Sequence, residues 1–135
     1  MDKNRWLTAG ALVAALTLGG VAQSDPAKIA PSENAATRAF GDFARSWMSD
    51  MKKREVTHRH RPTIEGPGLA SYVGYSPKWD MEVKATGDSI SPYVGVLRYQ
   101  EQLYTCRDET TRDCKVSRTT PVTEVFAFRE GGWKY

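Results

Sequence analysis

A stripe of apolar and aromatic residues between positions 33 and 55 constrains the fold more than any other feature of the sequence. The members of the stripe recur at intervals of four and three residues and are Ala36, Phe40, Phe43, Trp47 and Met51. That spacing is typical of one face of an α-helix. Ser32 is a favoured N-cap residue, and Glu33 complements the positive end of a helix. A helix with so wide an aromatic face must pack against another layer of structure.

The rest of the chain carries the patterns of β-strands. Residues 79–86, "WDMEVKAT", alternate strictly between apolar and polar side chains, which indicates a strand that is covered on one face. Further strand patterns cover residues 69–75, 93–105, 122–128 and 133–135. Gly131 and Gly132 predict a tight hairpin turn. We therefore predict an α+β domain in which a long N-terminal helix, about residues 33–55, packs on a curved antiparallel sheet of four to five strands.

This order of elements resembles the cystatin-like and nuclear-transport-factor-2-like architecture. The ending "PVTEVFAFREGGWKY" is also similar to the last hairpin of many such domains, in which F-x-F and G-x-W form the two strands. The resemblance implies a strongly bent sheet that encloses a cone-shaped pocket. Those folds usually contain two further short helices, whereas this sequence predicts a single helix. A simpler domain, with one helix on a sheet, is the alternative.

The N-terminus has the layout of a secretory signal peptide. Lys3 and Arg5 precede an uncharged run with an apolar centre at Ala9–Leu18. Gly20 and Ala22 are small residues at the spacing that signal peptidase requires, so we predict cleavage after Ala22. The alternative is an uncleaved membrane anchor, which needs about 20 strongly apolar residues. Threonines and glycines shorten and weaken this run.

A cleaved signal peptide would divide the chain into three parts. We predict a signal peptide at residues 1–22, a flexible leader at 23–31 and one domain at 32–135, in the periplasm or outside the cell and with no membrane span after cleavage. The domain is long enough for one core and too short for two typical domains. The net charge of +3 is not that of a dedicated nucleic-acid-binding protein.

The two cysteines, Cys106 and Cys114, are predicted to form a structural disulfide, because exported proteins retain disulfides. A zinc site needs about four ligands in close pairs, and a redox pair would show the C-x-x-C spacing. Neither pattern is present. Both cysteines border strand patterns, so the bridge would fix the register of a hairpin. We expect no metal and no cofactor.

The most basic stretch is "MKKREVTHRHRP", residues 51–62. Its candidate anion-binding residues are Lys52, Lys53, Arg54, His58, Arg59, His60 and Arg61. One hypothesis is a polyanion site; the alternative is a set of cations that complements the negative end of the helix, followed by a solvated loop. A metal is not expected, because two histidines two residues apart point to opposite faces of an extended chain.

Four carboxylates fall within strand patterns: Asp80, Glu82, Glu101 and Glu124. Glu101 is the candidate catalytic residue, because Tyr99 and Leu103 on either side of it predict a covered face, which would raise its pKa. The alternative is a strand end, or a carboxylate paired with Arg98 or Arg118.

No catalytic constellation is recognisable in the sequence. Our leading hypothesis is therefore a non-catalytic binding or assembly module of the bacterial envelope, whose ligand or protein partner the sequence does not identify. Two alternatives stay open: an enzyme with a cone pocket that uses Glu101, and a polyanion-binding surface protein. Exposed sheet edges would also favour a homodimer.

Overall fold

The computed structural model describes residues 30–135. It contains one helix and six strands: α1 (Glu33–His60), β1 (Thr63–Gly66), β2 (Leu69–Tyr75), β3 (Asp80–Ala85), β4 (Tyr93–Cys106), β5 (Cys114–Arg129) and β6 (Gly132–Lys134). The predicted signal peptide and residues 23–29 of the predicted leader lie outside the described residues. Within residues 30–135, no helix is both long and apolar enough to cross a membrane.

The helix begins where the sequence predicts and ends later. The side chain of Ser32 accepts a hydrogen bond from the backbone N–H of Ala35 at 3.3 Å, which caps the first turn. The last helical residue is His60 rather than residue 55, and Arg61 forms the C-cap. Between residue 55 and Pro62 no glycine or proline interrupts the chain, so the helix continues through the basic stretch. The predicted end at residue 55, with a loop after it, is therefore wrong.

The sheet is antiparallel, with strand order β1-β2-β4-β5-β6, and β3 pairs with β4. β4 and β5 are its two long strands, of 14 and 16 residues. β2 pairs with residues 101–106 of β4 and β3 pairs with residues 93–98, so β2 and β3 lie end to end along one side of β4. The predicted α+β class and the curved antiparallel sheet are confirmed. The sheet has six strands, because the short β1 joins those that the sequence indicates.

The space between the helix and the sheet is filled with side chains. Phe40, Leu97 and Phe126 are fully buried there. The ring of Phe40 lies directly over Gly95, where an added Cβ would stand 2.4 Å from a ring carbon. Within the described residues, aromatic rings therefore occupy the concave face on which a cone pocket would open.

The C-terminal half of the helix covers a free edge of β2. β1 pairs only with residues 69–71, which leaves the backbone groups of the following residues without a strand partner on that side. Glu55 Oε2 accepts a hydrogen bond from the backbone N–H of Tyr75 at 3.3 Å, and His58 Nδ1 lies 3.1 Å from the carbonyl oxygen of Val73. A carbonyl only accepts, so Nδ1 carries the proton of this contact. Glu55 and His58 thus hold the helix against the sheet.

Candidate functional site: a basic groove at the end of the helix

A groove of about 320 Å³ opens where the last turns of α1 meet the loop that connects β4 and β5. We call it the basic groove. The residues that line it are Val56, Arg59, His60, Thr110, Thr111 and Arg112. The loop is closed by the disulfide between Cys106 and Cys114, which are paired residues at the ends of the two long strands. The disulfide predicted from the sequence is thus present, at the base of a hairpin.

Contacts between Arg59 and Thr111 attach this loop to the helix. Arg59 Nη2 donates to the carbonyl oxygen of Thr111 at 3.2 Å. The Thr111 hydroxyl, which has one proton to donate, lies 2.8 Å from the carbonyl oxygen of Thr110 and 3.2 Å from that of Arg59. Thr111 is buried and has a φ of 58°, a left-handed conformation that a β-branched residue rarely adopts. Such a conformation persists only where the surroundings impose it. The contact with Arg59 is one of these constraints.

The carboxylate of Asp108 organises the loop from inside. It accepts hydrogen bonds from the hydroxyl of Thr110 and from the backbone N–H groups of Arg112 and Asp113. These bonds favour the ionised form and lower the pKa of Asp108 to about 2. The loop therefore keeps this internal support throughout the physiological pH range.

The guanidinium groups of Arg59 and Arg112 make the walls of the basic groove positive. His60 also lines it, and no carboxylate is among the lining residues, although the Asp108 carboxylate accepts hydrogen bonds from two of them, Thr110 and Arg112. Arg112 Nε donates to Thr110 Oγ1 at 2.9 Å, which orients the guanidinium and leaves its two terminal nitrogens for a ligand. The negative end of the helix opposes an anion with only about half an elementary charge. Two guanidinium groups suit an oxyanion, because each can donate parallel hydrogen bonds to two of its oxygens.

The structure assigns different roles to the seven candidate anion-binding residues. Lys52 pairs with Glu55 at 2.8 Å and Lys53 pairs with Asp50 at 2.9 Å, so both charges are partly compensated. The imidazole of His58 contacts the carbonyl oxygen of Val73 at the edge of β2. Arg54 and Arg61 are exposed and do not line the basic groove. Only Arg59 and His60 of the predicted set line it.

The loop residues Thr110, Thr111 and Arg112 were not predicted. They lie about 50 positions along the chain from Arg59, as the contacts between Arg59 and Thr111 show. Only the predicted disulfide and hairpin point to them, because together they indicate a constrained polar loop. Where that loop meets the helix depends on the bend of β4 and β5.

The four strand carboxylates separate onto the two faces of the sheet. Asp80 and Glu82 form ion pairs with Arg98, at 3.2 Å and 3.0 Å. Glu101 is half-buried opposite Tyr75, and within residues 30–135 its carboxylate has no hydrogen-bond or ion-pair partner. Arg98 is thus not its partner, contrary to one of the predicted alternatives. Glu124 instead accepts a hydrogen bond from the buried hydroxyl of Tyr99 at 3.2 Å. Glu124, rather than Glu101, is the carboxylate that accepts a hydrogen bond from the hydroxyl of a core tyrosine.

Burial and the neighbouring Glu124 raise the pKa of Tyr99 to about 12. An unfolded chain would ionise this tyrosine near pH 10. The neutral phenol therefore contributes stability that is fully present below pH 10 and is lost as the pH rises towards 12. The pKa values of Tyr72, Tyr75 and Tyr135 are raised as well, so we expect absorbance at 295 nm to show several delayed ionisations. The step at about pH 12 should be absent in the Tyr99→Phe variant. If all the tyrosines titrate near pH 10 in the folded protein, the environment described for Tyr99 is wrong.

Comparison with other proteins adds no assignment to this site. No family model matches the chain, and neither the curated proteins nor the solved structures include a significant match. Within residues 30–135, no cluster of three or more histidine, cysteine, aspartate or glutamate side chains is arranged to hold a metal ion. The case for function therefore depends on the geometry of the basic groove.

Proposed function

We propose that this chain is an exported, non-catalytic binding module whose basic groove holds the phosphate group of an anionic ligand. The observation that carries the proposal is the meeting of Arg59 and Arg112, from distant parts of the chain, in a groove without a lining carboxylate. The signal-peptide pattern and the disulfide support export. The fold is compatible with a cystatin-like or nuclear-transport-factor-2-like relationship, which we propose on architecture alone.

Preorganisation supports binding at the basic groove. The disulfide, the Asp108 carboxylate and the contacts between Arg59 and Thr111 hold the loop before any ligand arrives. A ligand then orders few side chains, which lowers the entropic cost of association. A phosphate group offers several oxygens, which match the free donors on the two guanidinium groups.

The cone-pocket enzyme receives less support. Its pocket would occupy the concave face, where Phe40 and Phe126 are fully buried against one another at a ring-centroid distance of 5.9 Å. The hydrogen bond between Tyr99 and Glu124 is the remaining acid–base pair on that face. Tyr99 also lines a groove of about 380 Å³ together with Trp79 and Arg98, but Glu124 is not among the residues that line that groove.

Binding of pyrophosphate tests the proposal directly. We expect saturable binding by calorimetry in low salt, and a loss of about tenfold in affinity for either Arg59→Gln or Arg112→Gln, since one charged hydrogen bond contributes about 1.5 kcal/mol. Arg54→Gln is the matched control, because Arg54 is an exposed cation of the same helix outside the basic groove. Equal losses in all three variants would indicate general charge attraction and would contradict the proposal.

A second arm identifies the source of the phosphate group. Vesicles of phosphatidylcholine with phosphatidic acid present it on a lipid surface, whereas pyrophosphate is free in solution. If vesicles bind and lose binding with Arg112→Gln while pyrophosphate binds weakly, the ligand is a lipid headgroup. If neither probe binds, the proposed function is wrong.

A further inference from the structure

We infer that a second groove, which we call the outer groove, binds a small amphiphilic anion with a single apolar chain. This outer groove has a volume of about 450 Å³ and lies between α1 and the connection from β2 to β3. Its lining residues are Arg45, Met48, Ser49, Lys52, Tyr75, Ser76, Pro77 and Trp79. None of them lines the basic groove, so the two sites are independent.

The floor of the outer groove is apolar and fixed. Met48 and Tyr75 belong to the main core, and Trp79 packs against that core from the end of the connection. The connection itself is anchored, because the backbone N–H of Ser76 donates to the carbonyl oxygen of Gln100 at 2.9 Å and Ser76 Oγ accepts from the N–H of Lys78. An apolar chain would therefore meet a surface that already exists in the free protein.

The rim supplies positive charge and hydroxyl groups. Arg45 and Lys52 stand on the helix at the mouth, with Ser49 between them. Each cation has a carboxylate partner, Asp42 for Arg45 and Glu55 for Lys52, but neither carboxylate lines the outer groove. The side chain of Asp42 is 75% exposed, so its ion pair with Arg45 is weak in water and open to exchange for a ligand. Glu55 is only 13% exposed and keeps its pair with Lys52, so Arg45 is the main cation of the rim and Lys52 a secondary one.

The combination of floor and rim selects the occupant. An apolar chain fits against Met48, Tyr75 and Trp79, while a carboxylate at its end reaches Arg45, with Lys52 nearby. A water molecule occupies about 30 Å³ of liquid, so a space of 450 Å³ accommodates an amphiphile of on the order of 15 non-hydrogen atoms. A cation with the same tail would be repelled by Arg45 and Lys52, and Asp42 and Glu55 offset only part of that repulsion. The outer groove thus favours a medium-chain carboxylate.

Three probes with one tail and different heads test this inference: decanoate, decanol and decyltrimethylammonium. We expect decanoate to quench or shift the fluorescence of Trp79 saturably and to bind about tenfold more tightly than decyltrimethylammonium, as two partly exposed charge contacts imply. The Trp79→Phe variant should lose the optical signal, and the methyl resonance of Met48 should shift on binding.

Charge variants decide whether the rim acts as proposed. The double variant Arg45→Gln/Lys52→Gln should remove the preference for decanoate while retaining weak binding of decanol. Arg38→Gln is the matched control, because Arg38 is an exposed cation of the same helix outside the outer groove. Absence of saturable binding, equal affinity for the three probes, or an equal effect of Arg38→Gln would overturn the inference.

Two further measurements distinguish the outer groove from the basic groove and from an interface between two copies of the chain. The Arg59→Gln/Arg112→Gln variant should bind decanoate normally, so failure of pyrophosphate binding leaves this test intact. Sedimentation of the protein at several concentrations shows whether a second copy covers the outer groove. If Arg45→Gln/Lys52→Gln dissociates a dimer, the outer groove is an interface between copies and the inference is wrong.

Discussion

Replacement of Gly95 by alanine is expected to lower the free energy of unfolding by about 2 to 3 kcal/mol, the upper part of the range for an overpacked core. The new Cβ would stand 2.4 to 2.6 Å from three carbons of the Phe40 ring. That ring cannot move away easily, because it is fully buried and its centroid lies 4.6 Å from that of Trp133. The helix would have to separate from β4. Denaturation with urea measures the change.

Two variants show whether the contact with Phe40 is the cause. Gly132→Ala is the matched control, since a Cβ there meets no atom within 4 Å and the residue does not have a positive φ. It should change stability by no more than about 0.5 kcal/mol. Phe40→Leu removes ring atoms, so its cost and that of Gly95→Ala should not add in the double variant. Strict additivity would contradict the proposed contact.

The fold was predictable because its periodicities are strong. Phe40 and Trp47 fall on one helical stripe, and Met81 and Val83 alternate with charged residues, so each element defines its own buried face. Two details depend on tertiary contacts instead. β1 is only four residues long and lacks alternation, and the end of the helix is stabilised by the contact of His58 with β2. The local sequence therefore predicts neither the strand β1 nor the end of the helix at His60.

The candidate site was predictable only in part. The density of basic residues in the stretch 51–62 predicts that Arg59 and His60 bind an anion. Arg112 reaches them only after β4 and β5 have bent and paired, so the sequence does not predict its place in the basic groove. The alternation of apolar and polar residues predicts which face of the sheet each carboxylate occupies, but it does not predict which carboxylate contacts a tyrosine hydroxyl. Glu124 lies two positions from Phe126, as Glu101 does from Tyr99, so both are placed on the helix-facing side of the sheet. Which of them meets a tyrosine hydroxyl depends on side-chain packing.

Removal of the disulfide by Cys106→Ser/Cys114→Ser is expected to lower the free energy of unfolding by about 2.5 kcal/mol, the chain-entropy value for so short a loop. The bridge spans a sequence separation of 8 and closes the loop that carries Thr110, Thr111 and Arg112. Thr111 holds a left-handed φ of 58° that an unconstrained loop would leave. The variant should therefore also bind pyrophosphate less tightly than the wild-type protein.

The loss of stability and the loss of pyrophosphate affinity can be separated by the choice of temperature and by chemical reduction of the disulfide. At a temperature where circular dichroism shows the serine variant to be folded, weaker binding of pyrophosphate reports on the loop rather than on unfolding. Wild-type protein treated with dithiothreitol provides the matched measurement without a change of side chain. If stability falls while pyrophosphate affinity is unchanged in both samples, the loop is organised by Asp108 and by the contact of Arg59 with Thr111 alone. The disulfide would then stabilise the hairpin but have no part in shaping the basic groove.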